Sequence, residues 1–214
     1  MQKATTKEII AIKELFLTHY AKAVTELYYK NAYELLVCVM LSAQCTDKRV
    51  NLITPALFDK YPSVTLLSQA ALDDVKALIN TCSFFNNKAV NLIKMAKKVV
   101  EFYNGEIPLD ENLLITLAGV GQKTAHVVMI EYTKANLMAV DTHVFRVAHR
   151  LGLSKAKTAT KTEEDLTKLF KTKLDTLHQA MVLFGRYHCK AKNPECEACF
   201  LKPYCKTTQS FKAG

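Results

Sequence analysis

Apolar positions recur at three- and four-residue intervals along most of the chain, and no stretch sustains the apolar and polar alternation of a strand. The pattern therefore predicts a nearly all-helical protein. Thr5 with Glu8 and Asn31 with Glu34 have capping-box spacing ahead of apolar repeats (Ile9, Ile10, Leu15; Leu35, Leu36, Val39, Met40), and Thr160 with Glu163 repeats that grammar. Further helices are expected over about 47–60, 68–79, 87–103, 110–117, 123–134, 141–151 and 175–187. Asn104-Gly105 should end the one at 87–103, and Pro55 should kink or split the one at 47–60. Polar residues from 154 to 164 read as a surface excursion. With no internal repeat or Gly/Ser linker, the chain is one domain or two helical lobes sharing long connections.

Composition narrows the class. Half of the 214 residues are apolar and Gly and Pro are few, which is enough for one large core or two small ones and argues against disorder. Lys3, Lys7, Glu8, Lys13 and Glu14 interrupt the start, so no signal-peptide core is expected there. The most apolar charge-free run, 35–46, is too short to span a bilayer, and a cytoplasmic location is expected. The net charge of +9 suggests a polyanionic partner. Only Arg49, Arg146, Arg150 and Arg186 are arginines, so lysine supplies most of that field, which suits phosphate contact better than bidentate base readout.

Seven cysteines argue against a disulfide framework. Cys38, Cys45 and Cys82 lie in apolar surroundings and read as core thiols. The other four, Cys189, Cys196, Cys199 and Cys205, are spaced C-x6-C-x2-C-x5-C and call for a soft metal. By spacing alone, zinc and an iron–sulfur cluster both remain open. Lys190, Lys192, Lys202 and Lys206 accompany them, and the loop 190–195, stiffened by Pro194, becomes a basic knuckle if a metal pins its ends. His188, beside four available thiolates, reads as a bystander.

Between two helices, residues 117–125 (L-A-G-V-G-Q-K-T-A) place glycines in a tight turn. No strand precedes them, so this is not a dinucleotide fingerprint; its backbone N–H groups, next to a helix N-terminus, can donate to a phosphate. Lys123 falls in the first turn of the following helix, where the positive end of the dipole disfavours an ammonium and favours the free amine that a lysine nucleophile needs. Asp141 follows a short apolar run as an N-cap, and as a functional group it can hold or deprotonate a partner.

These segments resemble a known family. Residues 117–125 are similar to the helix-hairpin-helix signature, 140–146 (V-D-T-H-V-F-R) to the V-D-T-H-x-x-R segment that follows it, and 41–47 (L-S-A-Q-C-T-D) to L-S-x-Q-x-T-D. With the cysteine tail they resemble the endonuclease III family of helix-hairpin-helix DNA glycosylases, from about Tyr33 to Cys205. The resemblance implies a two-lobed all-α fold: 22–132 as a six-helix lobe carrying the hairpin (about 108–132), and 1–21 plus 133–214 as a second lobe with the cluster loop (189–205). Double-stranded DNA with damaged bases or abasic sites would be the partner of a monomer, lying across the cleft between the lobes. Lys123 matches the nucleophile, Asp141 the catalytic carboxylate and the four cysteines the ligands of one structural [4Fe-4S] cluster. Gln44 matches the residue that fills the gap of the flipped base. Gly119, Val120, Gly121 and Thr124 of the hairpin, with Lys190 and Lys192, would contact DNA.

The implied activity is a bifunctional glycosylase and AP lyase that removes oxidised pyrimidines of the thymine glycol type through a lysine Schiff base, then cleaves 3′ to the abasic site by β-elimination. Two departures stand out. Ala118 replaces the usual Pro, and residues 82–88 (C-S-F-F-N-N-K) occupy the loop that usually reads G-L-Y-N-x-K-A, with Phe84 as the apolar wedge. A monofunctional glycosylase or a non-catalytic DNA-binding module would not require Lys123 with Asp141.

Overall fold

The computed structural model describes residues 2–207. Along the chain run α1 (Thr6–His19), α2 (Ala32–Ser42), α3 (Asp47–Lys60), α4 (Val64–Ser68), α5 (Leu72–Ile79), α6 (Phe85–Tyr103), α7 (Glu111–Leu114), α8 (Gln122–Val128), α9 (Thr142–Arg150), α10 (Ala159–Phe170) and α11 (Leu174–Tyr187). A π turn, Met129–Thr133, prolongs α8. Among the described residues no strand occurs, as the periodicity requires, and no helix is long and apolar enough to cross a membrane.

Local grammar placed several ends well. At α1 the capping box is complete: the Thr5 hydroxyl accepts from the Glu8 N–H and the Glu8 carboxylate accepts from the Thr5 N–H at 2.7 Å, a device worth about 1 kcal/mol. At α2 only half of the box forms, because Asn31 accepts from the Glu34 N–H while the Glu34 carboxylate turns to the Lys30 N–H. Near Thr160 the expectation fails: Thr158 is the N-cap of α10, accepting from the Lys161 N–H, and Thr160 lies inside the helix. The polar stretch 154–164 is not wholly a surface excursion either, since Ser154 and Thr162 are buried and the Ser154 hydroxyl donates to Asp165 at 2.6 Å.

Other boundaries moved. The helix expected at 68–79 starts four residues late, as α5 at Leu72, and a short helix the sequence did not predict, α4, precedes it; Ser63 caps α4, and its Val64 and Leu67 are buried. By contrast α3 runs unsplit through Pro55. Pro55 is exposed, so the Asn51 carbonyl that loses its helical donor lies on a side where water can serve it. Helix α6 begins at Phe85, two residues early, and ends at Asn104 in the left-handed conformation. Helix α7 is one short turn of the expected 110–117, and the helix expected at 123–134 starts at Gln122 and changes to π geometry at Met129.

The chain forms two compact units, Glu26–Thr133 and Met1–Thr25 with Lys134–Gly214. In the first, α2 is buried at every position from Tyr33 to Leu41; a helix buried on all sides must be surrounded, and α3, α6 and α8 pack on it. In the second, α11 packs on α9 and α1. There Phe16 meets Phe184 edge-on at 5.5 Å and Phe200 at 6.2 Å, so the cysteine tract is sewn to the core by its own phenylalanine. Phe16 is fully buried, and truncating it to Ala should cost about 3–5 kcal/mol.

Candidate functional site

The hairpin between α7 and α8 is built by close approach. Gly119 has φ +77°, and a Cβ there would lie 2.9 Å from the Asn91 Cβ and 3.1 Å from the Met40 Cε, so the turn rests directly on α6 and α2. The Val120 N–H closes the turn on the Leu117 carbonyl at 3.1 Å, and Val120 is buried beneath it. Behind α8, the buried His126 places Nε2 2.8 Å from Glu111 Oε1 of α7, tying the two arms together. Gly121 is the N-cap of α8, with extended backbone and nothing within 4 Å of an added Cβ. The N-terminus of α8 is thus open on that side, with Lys123 exposed at its second position and Thr124 half-buried at its third.

In the same unit lie two more residues singled out by sequence. Gln44 (φ 53°) and Phe84 (φ 57°) are non-glycine residues in the left-handed region, and both are exposed, Phe84 by 62%. Phe84 is therefore not core. Such a backbone costs about 1–2 kcal/mol per residue and persists only where the surroundings impose it. Beside both lies a residue to which sequence reading assigned no role, Lys88, whose ammonium reaches the Leu41 and Ala43 carbonyls and the Cys82 thiol. Cys38 and Cys82 are buried, as expected of core thiols, whereas Cys45 is half-exposed. Burial pushes the Cys38 thiol up to about 12.

In the other unit Asp141 is the N-cap of α9, its Oδ1 accepting from the Val144 N–H at 2.7 Å, with Ala139 and Val140 buried before it. One turn and two turns on, Arg146 and Arg150 hold the cysteine tract. Arg146 donates to the carbonyls of Cys189 (2.9 Å) and Gly185 (2.6 Å). Arg150 donates to those of Cys189 (3.2 Å) and Lys190 (2.7 Å), with the same Nη1 3.2 Å from Cys189 Sγ. The sequence signal was their i, i+4 spacing on one helix in a chain with four arginines, but nothing local says what they meet.

Cys189, Cys196, Cys199 and Cys205 line one cavity, roofed by Leu201 and Arg150. Among the described residues no three His, Cys, Asp or Glu side chains are gathered closely enough for a single ion. Burial raises the Cys189 and Cys199 thiols, and at Cys189 the Arg150 guanidinium opposes that rise. Four soft donors around one cavity, with guanidinium charge beside them, fit an anionic thiolate-bound centre. His188 lines the same cavity, but stacks on Phe184 with Nδ1 3.4 Å from Glu195. Of the knuckle lysines, Lys190 pairs with Glu195 at 2.7 Å, so much of its charge is answered within the loop, while Lys192 is exposed.

Comparison with known proteins accords with this geometry. Residues 37–172 match the family described as HhH-GPD superfamily base excision DNA repair protein, and residues 189–205 match the iron-sulfur binding domain of endonuclease III. Endonuclease III of Rickettsia felis is 42% identical over 196 residues, 91% of this chain and 92% of its own. That of Bacillus subtilis is 40% identical over 192 residues, 89% and 88% respectively. The solved structure of a trapped endonuclease III–DNA covalent intermediate, an estranged-adenine complex, matches with a TM-score of 0.90 at 38% identity, over 94% of this chain and 96% of that one. Fold and site together define a helix-hairpin-helix DNA glycosylase of base excision repair with an iron–sulfur domain. The chain belongs to the endonuclease III family, whose enzymes are DNA N-glycosylases and DNA-(apurinic or apyrimidinic site) lyases.

Proposed function

We propose that this enzyme removes oxidised pyrimidines of the thymine glycol type from double-stranded DNA and cleaves 3′ to the resulting abasic site, acting as a monomer on nucleoid DNA in the cytoplasm. The observation that carries the reading is Lys123, exposed at the second position of α8 behind the open Gly121 corner. There the helix dipole and bare N–H groups draw a phosphate close to the lysine. An endonuclease III with a TM-score of 0.90 has been trapped as a covalent intermediate with DNA, which supports a nucleophilic side chain in this fold.

In this reading the lesion leaves the stack at a cost of a few kcal/mol, lower for a poorly stacked base. Gln44 fills the vacated space and Phe84 stacks into the opposite strand. Backbone N–H groups of Gly119, Gly121 and Thr124 hold a phosphate, Val120 supports their turn from beneath with its own N–H on the Leu117 carbonyl, and Lys190 and Lys192 add charge. The Lys123 Nζ forms a bond to the sugar C1′ as the bond from C1′ to the base breaks and the electron pair leaves with the base. Asp141 takes a proton and steadies the developing positive sugar. The Nζ lone pair then expels O4′, which takes a proton as the sugar ring opens to the imine, and loss of a C2′ proton from that imine expels the 3′ phosphate. In this reading a hairpin lobe (22–132) and a cluster lobe (1–21 plus 133–214) each contribute residues to DNA binding.

For the metal centre we assign one [4Fe-4S] cluster on Cys189, Cys196, Cys199 and Cys205. The match of residues 189–205 to the iron-sulfur binding domain of endonuclease III supports iron over zinc at these four thiols, which line one cavity. Bound there, the cluster cross-links the loop and leaves its iron no vacancy for a water.

Borohydride trapping on a thymine glycol duplex and an abasic duplex tests the reading. Wild type should form an adduct with both and the Lys123→Gln variant with neither. An adduct on the abasic duplex alone would reject the lesion class, and no adduct would reject the lyase in favour of a monofunctional glycosylase.

A further inference from the structure

Lys88 sits in the first turn of α6, and its ammonium donates to the Leu41 carbonyl at 2.8 Å, the Ala43 carbonyl at 2.7 Å and the Cys82 Sγ at 3.1 Å. An ammonium has three N–H bonds, so these acceptors use its full complement. Leu41 is in the last turn of α2 and Ala43 is its C-cap, so the carbonyls are among those a helix leaves without a helical donor, at the end where its dipole favours a cation. The Cys82 thiol closes the triangle by donating to the same Leu41 carbonyl at 3.3 Å. Burial pushes that thiol up, so Lys88 faces a neutral sulfur and its charge is left to the carbonyls.

The two joined segments lie 45 to 47 residues apart in the chain. Gln44 directly follows Ala43 and Phe84 follows Cys82 by two, and both carry positive φ with their side chains exposed. Neither residue type prefers that conformation, so each must be held in it from outside its own segment. The Lys88 triangle is the structure that joins the two.

We propose that Lys88 is a positioning residue that clasps the end of α2 to the start of α6, so that Gln44 and Phe84 enter the DNA together as one preorganised pair. The inference rests on the glycosylase reading above. Without the clasp, both segments would have to be ordered when DNA binds, a cost that falls on withdrawing a base from the stack. An abasic site has no base to withdraw and should be spared that cost.

The test uses the full chain carrying K88M, which keeps the aliphatic shaft and removes the donors, beside K88R and C82A. It measures single-turnover excision of thymine glycol from duplex, borohydride trapping on an abasic duplex, and amide hydrogen exchange of residues 42–46 and 82–86. K88M should lose at least about tenfold in excision while its abasic trapping stays within about threefold, with exchange faster in both segments. K88R should recover most of the excision, and C82A should show a smaller loss in the same direction. Equal losses on the two substrates, or faster exchange in one segment alone or in neither, would overturn the clasp. Should K88M not fold, C82A and K88R carry the same comparison. Wild type failing to trap on either duplex would reject the glycosylase reading and the clasp's purpose with it, whereas wild-type trapping with an indifferent K88M rejects the clasp alone.

Discussion

Arg150 Nη1 lies 3.2 Å from Cys189 Sγ while donating to the Lys190 carbonyl at 2.7 Å. One guanidinium on α9 thus fixes both the first cysteine of the tract and the backbone that leads away from it. Hydrogen bonds from a charged donor contribute about 1.5–3 kcal/mol, and the planar fork of arginine loses less freedom per hydrogen bond than a flexible lysine ammonium would here. Arg150→Met should therefore lower the visible iron–sulfur absorbance of the purified protein, shorten its life under oxidant and lower the melting temperature. Arg150→Lys should fall between the two. Unchanged absorbance and melting in Arg150→Met would show that the loop is held by its other contacts.

Phe84 invites a separation of stability from activity. Its φ of 57° suits glycine better than phenylalanine, and its ring is exposed by 62%, so little packing is lost on removing it. Phe84→Gly should leave unfolding stability unchanged or raise it by up to about 1 kcal/mol. Excision of a paired lesion should nonetheless fall, because the wedge is gone. A clear loss of stability by urea unfolding would mean that the ring packs more than its exposure indicates.

Gly119 behaves in the opposite way. A methyl group there meets Asn91 Cβ at 2.9 Å while the backbone holds φ +77°. Gly119→Ala should cost about 2 kcal/mol or more, the left-handed penalty plus the displacement of α6. Thermal unfolding should register this as a fall of roughly 4–8 °C at this chain size, with weaker binding of undamaged duplex as the hairpin shifts. Gly121→Ala, with open space around its Cβ, should cost far less.

Acid should loosen the closing contact of the cysteine-bearing unit. The Lys206 ammonium, 2.6 Å from Glu8 Oε1, and the Thr5 N–H hold the Glu8 carboxyl well below its ordinary 4.5, at about 2. A carboxyl depressed in the folded state contributes stability that is complete above its unfolded value and is lost as pH falls from 4.5 towards 2. The urea midpoint should decline across that window, and Glu8→Gln should flatten the decline while lowering the midpoint at neutral pH. An identical slope in Glu8→Gln would assign the acid sensitivity to other carboxylates.

The helices were largely legible because their causes are local. Thr5 with Glu8, Asp141 ahead of α9 and Asn104-Gly105 after α6 act within one turn of the residues they cap. The errors fell where packing outweighed local preference. No helix was expected over 64–68, yet α4 forms there with Val64 and Leu67 buried, and the chain turns before α5 begins at Leu72. The site residues were visible through the resemblance of their motifs, but their setting was not. Neither Gln nor Phe announces positive φ, and Lys88 was one more lysine in a basic chain.

By itself the sequence determined an all-helical chain, a glycine hairpin with a lysine behind it, an N-capping aspartate and four cysteines at ligand spacing. Each of these is a matter of periodicity, capping or covalent neighbourhood, and such effects reach only a few residues along the chain. Tertiary structure alone decided that α2 is buried all round, that Gly119 rests on Asn91, that Arg146 and Arg150 grip the backbone at Cys189, and that Lys88 binds the ends of α2 and α6 together. Those contacts join residues tens of positions apart, and a donor's choice of acceptor at that range is set by how the helices pack, which no local pattern encodes.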